Sequence, residues 1–285
     1  MEELSWGRRY LMCPPTHYEV AYAINPWMHG VVDRDLAMVQ WLDLTEALRR
    51  AGAEVEVVEA VPDLPDMVFT ANAGLVDGAT FIAGRMRWPE RAGETDRFAA
   101  WAAAHDLAVA HLPDGAVLEG LGDCLPLGEV LVAGHGQRST TSAHAFVSGW
   151  TGREVVGVEL ADPRWYHVDL TLCPLDRRRA IVFPDAYDAA GARAVMAQIP
   201  EPLVLDADQA ATFAANSAVV GRTVVMPACP PPVGRALEAW GFDVVVVDVG
   251  EFTKAGGAVR CLTLPLDTRL TRAVAAGPAL VEDVA

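Results

Sequence analysis

The sequence predicts an α/β fold built as a ring of five similar β-β-α-β modules, a five-bladed propeller with pseudo-five-fold symmetry. Three observations predict it. A polar residue, an apolar strand, a Gly or Asp turn and a second apolar strand form a unit that occurs four times and begins a fifth. The units open at Asn72, Asp123, Asp169, Asn216 and Cys261. The openers recur at intervals of 51, 46, 47 and 45 residues, a period that belongs to an array of modules. Between hairpins lie helical stretches, each followed by one more short strand. The five opening side chains are therefore expected to point toward a common axis.

In chain order, Leu11 to Pro15 reads as a short apolar strand stopped by Pro14-Pro15. Thr16 to Met28 is aromatic, polar and broken by proline, which suits a loop covering a pocket. Asp33 to Gly52 is helical, with Leu36, Val39, Leu42, Leu44 and Leu48 near helical spacing and Gly52 as the stop. Glu54 to Ala60 is a strand leading into the turn-rich Pro62-Asp63-Leu64-Pro65-Asp66. The hairpins follow, separated by helices over Ala92 to His105, Ser142 to Trp150, Ala189 to Ile199 and Pro232 to Trp240. Beyond Asp267 the chain reads as a closing helix or tail, so residues 1–285 are expected to form a single catalytic domain with a tail over 267–285.

With 52% hydrophobic residues the chain can bury a large core. A net charge of −16 argues against nucleic acid or an anionic membrane surface as partner and suits a small cationic substrate. Five scattered cysteines give neither a disulfide framework nor zinc-ligand spacing, so a reducing cytoplasm is the expected setting. No secretory leader or membrane-length apolar run is expected, and a homo-oligomer is compatible with the sequence.

Four segments carry chemistry. Lys254-Ala255-Gly256-Gly257 leads to Cys261, a thiol beside a permissive turn and at the start of an expected short apolar strand. The nucleophile is the thiolate, so Arg260, Lys254 or a cationic substrate would have to favour it. Tyr166-His167-Val168-Asp169 puts a base and an acid on one face if the segment is extended. Glu119-Gly120-Leu121-Gly122-Asp123 sets two acids on a Gly-rich turn, and Pro65-Asp66 through Asn72 puts a carboxylate and a carboxamide at the ends of an expected strand. An acid/base, a nucleophile and several acids at equivalent module positions form one candidate site.

In that order (Pro-Asp-x-Val-Phe, Glu-Gly-x-Gly-Asp, His-x-Asp, Gly-Gly-x-x-x-Cys) the segments resemble the guanidine-modifying superfamily with the pentein fold, over roughly residues 8 to 267. The resemblance implies that Cys261 attacks a guanidinium carbon and that His167 acts as acid and base. It implies that Glu119 and Asp169 hold guanidinium N–H groups, with Asp66, Asn72 and Asn25 also in the pocket. Arg138 matches the arginine that grips the substrate carboxylate, assisted by Arg85 or Arg87, and no metal or organic cofactor is implied. Dimethylarginine hydrolases of this superfamily look like Phe-Val-Glu-Asp and His-x-Lys, where this chain has Phe69-Thr70-Ala71-Asn72 and His167-Val168-Asp169. Asn72, with Cys13-Pro14-Pro15 and Ile24-Asn25-Pro26-Trp27-Met28, looks like the arginine dihydrolases. The implied reaction is arginine to ornithine, ammonia and carbon dioxide. Dimethylargininase, arginine deiminase and amidinotransferase are the alternatives. Non-catalytic members lack the Cys/His pair.

Overall fold

Five three-stranded sheets follow one another along the chain, and each repeats one plan. In a computed structural model, which describes residues 3–271, the first two strands of a module pair antiparallel and the second and third pair parallel across a helix. One module uses β3 (Gly74–Asp77), β4 (Thr80–Ala83), helix α2 (Glu94–Ala104) and β5 (Ala108–His111). The next begins with the one-turn α3 (Gly120–Asp123) and uses β6 (Cys124–Leu127), β7 (Val130–His135), α4 (Thr141–Thr151) and β8 (Val155–Glu159). The third uses β9 (Leu172–Pro174), β10 (Arg179–Val182), α5 (Ala189–Met196) and β11 (Glu201–Val204). After the capped turn α6 (Ala207–Ala211), the fourth uses β12 (Ala218–Val220), β13 (Thr223–Met226), α7 (Pro231–Ala239) and β14 (Asp243–Val246).

The last module joins the two ends of the described chain. After α8 (Gly250–Thr253), β15 (Leu264–Pro265) pairs antiparallel with β1 (Arg9–Met12). β1 then runs parallel to β2 (Glu54–Val57) across α1 (Arg34–Arg50). The ring thus closes by hydrogen bonds between segments some 250 residues apart, such as Leu266 N–H to Arg9 O at 2.8 Å.

Local chemistry explains the helices. Asp33 caps α1 through the Leu36 N–H, and Asp188 caps α5 through Ala190 and Gly191. Each crossover helix turns an i, i+4 pair inward: Ala37 and Trp41, Phe98 and Ala102, Ala143 and Val147, Gly191 and Val195, Val233 and Leu237. All of these except Gly191 join the central strands in one apolar cluster that reaches all five sheets.

Three sequence expectations need correction, and they share a cause. Cys261 is not on a strand: it lies in a tight turn over 259–262, and β15 starts at Leu264. His167 and Asp169 do not share a strand, because Val168–Leu170 is a turn of 3-10 helix. The expected strand from Asp66 to Asn72 is two such turns, Pro65–Val68 and Thr70–Ala73. Near the axis the five modules converge and strands have no neighbour to pair with. The backbone there satisfies its N–H groups within its own turn, as in Asn72 N–H to Phe69 O, Asn216 N–H to Phe213 O and Thr263 N–H to Arg260 O. The closing segment expected after Asp267 lies, from residue 272 onward, outside the described residues.

Candidate active site

The five openers do meet, and a closed ring of hydrogen bonds shows it. Asn72 Nδ2 reaches the Glu119 carbonyl at 3.5 Å, and Asp123 Oδ1 accepts from Val168 N–H at 3.3 Å. Asn216 Nδ2 donates to the Asp169 carbonyl at 3.0 Å, and its Oδ1 accepts from Cys261 N–H at 3.2 Å. Ala71 N–H to the Cys261 carbonyl at 3.1 Å completes the circuit. All five side chains are buried.

Cys261 sits at the C-terminal end of the Gly-Gly turn. Gly256 has φ +87°, and a β-carbon there would lie 2.8 Å from Asn25 Oδ1 and 3.0 Å from the Tyr166 hydroxyl. A β-carbon on Gly257 would lie 2.4 Å from the Phe69 ring. The glycines therefore let the lid loop and the Phe69 segment press against the backbone that carries the thiol. Cys261 Sγ donates to Asp169 Oδ2 at 3.3 Å and accepts from Asn216 Nδ2 at 3.2 Å. Burial first, and then Asp169, hold the thiol well above the ordinary cysteine range. Neither flanking cation touches the sulfur: Lys254 Nζ is taken by Val31 O and Glu251, and the Arg260 guanidinium lies over the Trp6 ring.

Across the site, Glu119 Oε2 accepts from His167 Nε2 at 2.7 Å and from Arg138 Nη1 at 2.8 Å. Its Oε1 takes the Arg87 N–H at 3.0 Å. Burial alone would raise the Glu119 pKa, but Arg138 and His167 outweigh it and hold the carboxyl well below the usual range. An ionised carboxylate only accepts, so His167 carries its proton on Nε2 in this arrangement. Asp123 stands behind, accepting from the Ser139 hydroxyl at 2.6 Å. Arg138 also stacks on Tyr166, with its Cζ 4.7 Å from the ring centroid, and bonds the Ile24 carbonyl.

Asn72 Oδ1 is held by Arg91 Nη1 at 2.9 Å, and Arg91 pairs bidentately with Glu94. Arg91 also bonds the Asp66 carbonyl, while Asp66 Oδ2 accepts from the Tyr22 hydroxyl at 3.0 Å. The loop over 16–28 covers the site as its composition suggests. Tyr22 holds Asp66, Ile24 holds Arg138, Asn25 Nδ2 bonds the Ala255 carbonyl and Trp27 Nε1 bonds the Arg164 carbonyl. Cavities of about 500 and 540 Å³ lie elsewhere, one at the foot of this loop and one between α1 and β14.

Of the residues named from sequence, Cys261, His167, Glu119, Asp169, Asn72, Asp66 and Arg138 form this buried group, with Asn25 in the loop above it. Arg85 is not brought in: its guanidinium is spent on the carbonyls of Leu112, Pro113 and Ala116. Arg87 contributes its backbone only, and its side chain is exposed. Arg91 and Asn216 were missed. Asn216 had a signal, since it opens a hairpin like the others. Arg91 had only an i, i+3 charge pair with Glu94.

Residues 28–268 match the family model for N,N dimethylarginine dimethylhydrolase, eukaryotic. The chain is 39% identical over 261 residues to the N(G),N(G)-dimethylarginine dimethylaminohydrolase of Mycobacterium tuberculosis, covering 91% of this chain and 86% of that protein. It is 38% identical over 263 residues to the bifunctional arginine dihydrolase/ornithine cyclodeaminase ArgZ of Synechocystis sp., covering 90% of this chain but 37% of that longer protein. The solved N-terminal domain of an ArgZ variant, covalently bound to a reaction intermediate, superimposes with a TM-score of 0.89 at 36% identity, covering 93% of this chain and 99% of that one. With a family match over most of its length and 39% identity across 91% of it, the chain belongs to the dimethylarginine dimethylaminohydrolase family of pentein-fold proteins.

Proposed function

We propose that this chain is a thiol-dependent hydrolase of the guanidino group that takes L-arginine through two hydrolytic steps to ornithine, two ammonia and carbon dioxide. The lining of the site carries the reading. Asp169 Oδ1 and Asp66 Oδ1 are buried acceptors with no hydrogen-bond donor, and Asn72 supplies a carboxamide held by Arg91, which also pairs with Asp66. A planar cation with all its N–H groups meets such acceptors well. A dimethylated nitrogen brings two methyl groups and leaves a buried carboxylate unpaired, a mismatch that polar sites reject strongly. Dimethylargininase is the second reading, favoured by the 39% identity to a named dimethylaminohydrolase. The 38% identity to ArgZ balances it, and the pocket chemistry favours the arginine reading.

In the first step the Cys261 thiol loses its proton to His167, Sγ bonds to the guanidinium carbon, the terminal C–N bond breaks, and the His167 imidazolium returns that proton to the departing ammonia. The cation itself favours the thiolate, offsetting the burial that opposes it. His167 then takes a proton from water, which attacks the S-alkylthiouronium carbon and frees citrulline. Asn72 can donate to the ureido oxygen, holding citrulline for a second attack. A second ammonia leaves, and water releases a carbamate that loses carbon dioxide. Arg138 serves the substrate carboxylate in this reading, with Arg91 behind Asn72. The free thiols of the described residues suit a reducing cytoplasm.

Asp169 makes the acid limb of the pH profile. Burial raises its pKa to about 6 despite the opposing charges of His167 and Arg260. Below that pH it takes up a proton and loses the charge that meets the guanidinium. The profile of kcat/KM is expected to fall about tenfold per unit below pH 6, and Asp169→Asn to flatten that limb while lowering the plateau. An unchanged limb in Asp169→Asn would assign it to another group.

Product analysis tests the function. Incubation with L-arginine is expected to yield ornithine and two ammonia, and asymmetric dimethylarginine to yield little dimethylamine. Citrulline as the sole end product would remove the second step. Dimethylamine with arginine untouched would overturn the substrate reading.

A further inference from the structure

Asn216 opens its hairpin one turn before β12 and uses every hydrogen-bonding group of its carboxamide. Oδ1 accepts from the backbone N–H of Ala258 at 3.1 Å and of Cys261 at 3.2 Å. Nδ2 donates to the Asp169 carbonyl at 3.0 Å and to Cys261 Sγ at 3.2 Å. The two backbone donors fix which end of the amide is oxygen, so Nδ2 must face the sulfur. The Asn216 carbonyl takes a third hydrogen bond from this turn, from Arg260 N–H at 3.1 Å. One fully buried residue therefore grips both ends of the turn that carries the thiol.

We propose that Asn216 is a catalytic residue of this site, holding the 258–261 turn in place and donating a hydrogen bond that stabilises the Cys261 thiolate. The inference rests on the reading of Cys261 as the nucleophile of guanidino hydrolysis. It answers an electrostatic problem particular to a cationic substrate. Thiolates are commonly favoured by a neighbouring Lys, Arg or His⁺. A fixed cation against the sulfur would repel the guanidinium that must approach it, and among the described residues no Lys or Arg touches Sγ. A neutral N–H donor favours the anion at no such cost. The thiol environment is consistent: burial and Asp169 oppose ionisation, while the Ala258 backbone and Asn216 favour it.

Asn216→Asp separates the donor from the clamp. It keeps the side-chain volume and an acceptor for the Ala258 and Cys261 N–H groups, but puts a carboxylate oxygen where Nδ2 faces Sγ and the Asp169 carbonyl. Asn216→Ala removes both roles. The measurement is the rate of Cys261 alkylation by iodoacetamide across pH, located by peptide mass mapping, alongside kcat and KM for arginine and thermal melting. In Asn216→Asp, the apparent pKa of alkylation is expected to rise by about one to two units. The same variant is expected to lose about 10²- to 10³-fold in kcat with KM changed far less. If Asn216→Ala unfolds, Asn216→Asp alone carries the test. An alkylation profile unmoved in Asn216→Asp, whatever its kcat, overturns the inference and leaves Asn216 a structural clamp. Turnover retained in Cys261→Ala would instead overturn the hydrolase reading itself, so the two failures are distinguishable.

Discussion

Cys261→Ala is expected to abolish ammonia release from arginine, by on the order of 10⁴-fold or more, while the protein remains folded. The size follows from the chemistry: without the sulfur there is no covalent intermediate, and water alone must attack a resonance-stabilised guanidinium. The fold should survive, because the change removes one buried atom whose donor, Asn216 Nδ2, keeps the Asp169 carbonyl as a second acceptor. The other cysteines provide the contrast. Cys13, Cys124 and Cys173 are buried among apolar groups, and desolvation pushes each thiol up to about 12. Cys229 is partly exposed and belongs to α7's approach, away from the axis. Alanine at any of these four should leave the product ratio unchanged. Ammonia and ornithine assays on purified variants, with circular dichroism as the folding check, decide it. Residual turnover in Cys261→Ala within tenfold of the parent would remove covalent catalysis from the mechanism.

The same contrast shows what was legible in the chain. The four hairpins could be read because their signals are local: Gly78, Gly128 and Gly221 take positive φ at three of the turns, flanked by runs of Val, Leu and Ile. Once the period is recognised, the inward direction of Asn72, Asp123, Asp169, Asn216 and Cys261 follows from equivalence. The conformation of those openers could not be read. Extended pairing is the default for apolar stretches such as Met67 to Ala71, and only convergence at the axis turns them into single helical turns. The arginines were the hardest group. Arg85 lies close to the Asn72 motif in sequence, yet the antiparallel bridge between Arg85 and Leu118 directs its guanidinium to the carbonyls of the preceding loop. Arg91, six residues later, ends the 3-10 turn Pro89–Arg91 that leads into α2, and its guanidinium reaches Asn72. A difference of one element boundary decides which guanidinium enters the site, and composition does not encode it.

Glu119→Gln should produce the second large effect, because one carboxylate oxygen serves two partners. Oε2 receives both His167 Nε2 and Arg138 Nη1, and all three side chains are buried. The amide oxygen can still accept from both but carries no charge, and its NH₂ group would face the Arg87 N–H, a donor against a donor. The Arg138 charge would then be buried without its counter-ion, beside the Ile24 carbonyl and the Tyr166 ring, a loss of about 3 kcal/mol in stability. For catalysis the carboxylate does two things at once: it fixes the proton on His167 Nε2 and stabilises the imidazolium that forms when water is deprotonated. Removing both functions is expected to lower kcat by about 10²- to 10⁴-fold. Glu119→Asp keeps the charge on a shorter arm, so stability should recover more than rate. Melting curves and the pH dependence of kcat for the two variants separate the roles. If Glu119→Gln melts early but turns over within a few-fold of the parent, Glu119 is a counter-ion for Arg138 alone, and His167 must be oriented by the backbone on either side of it.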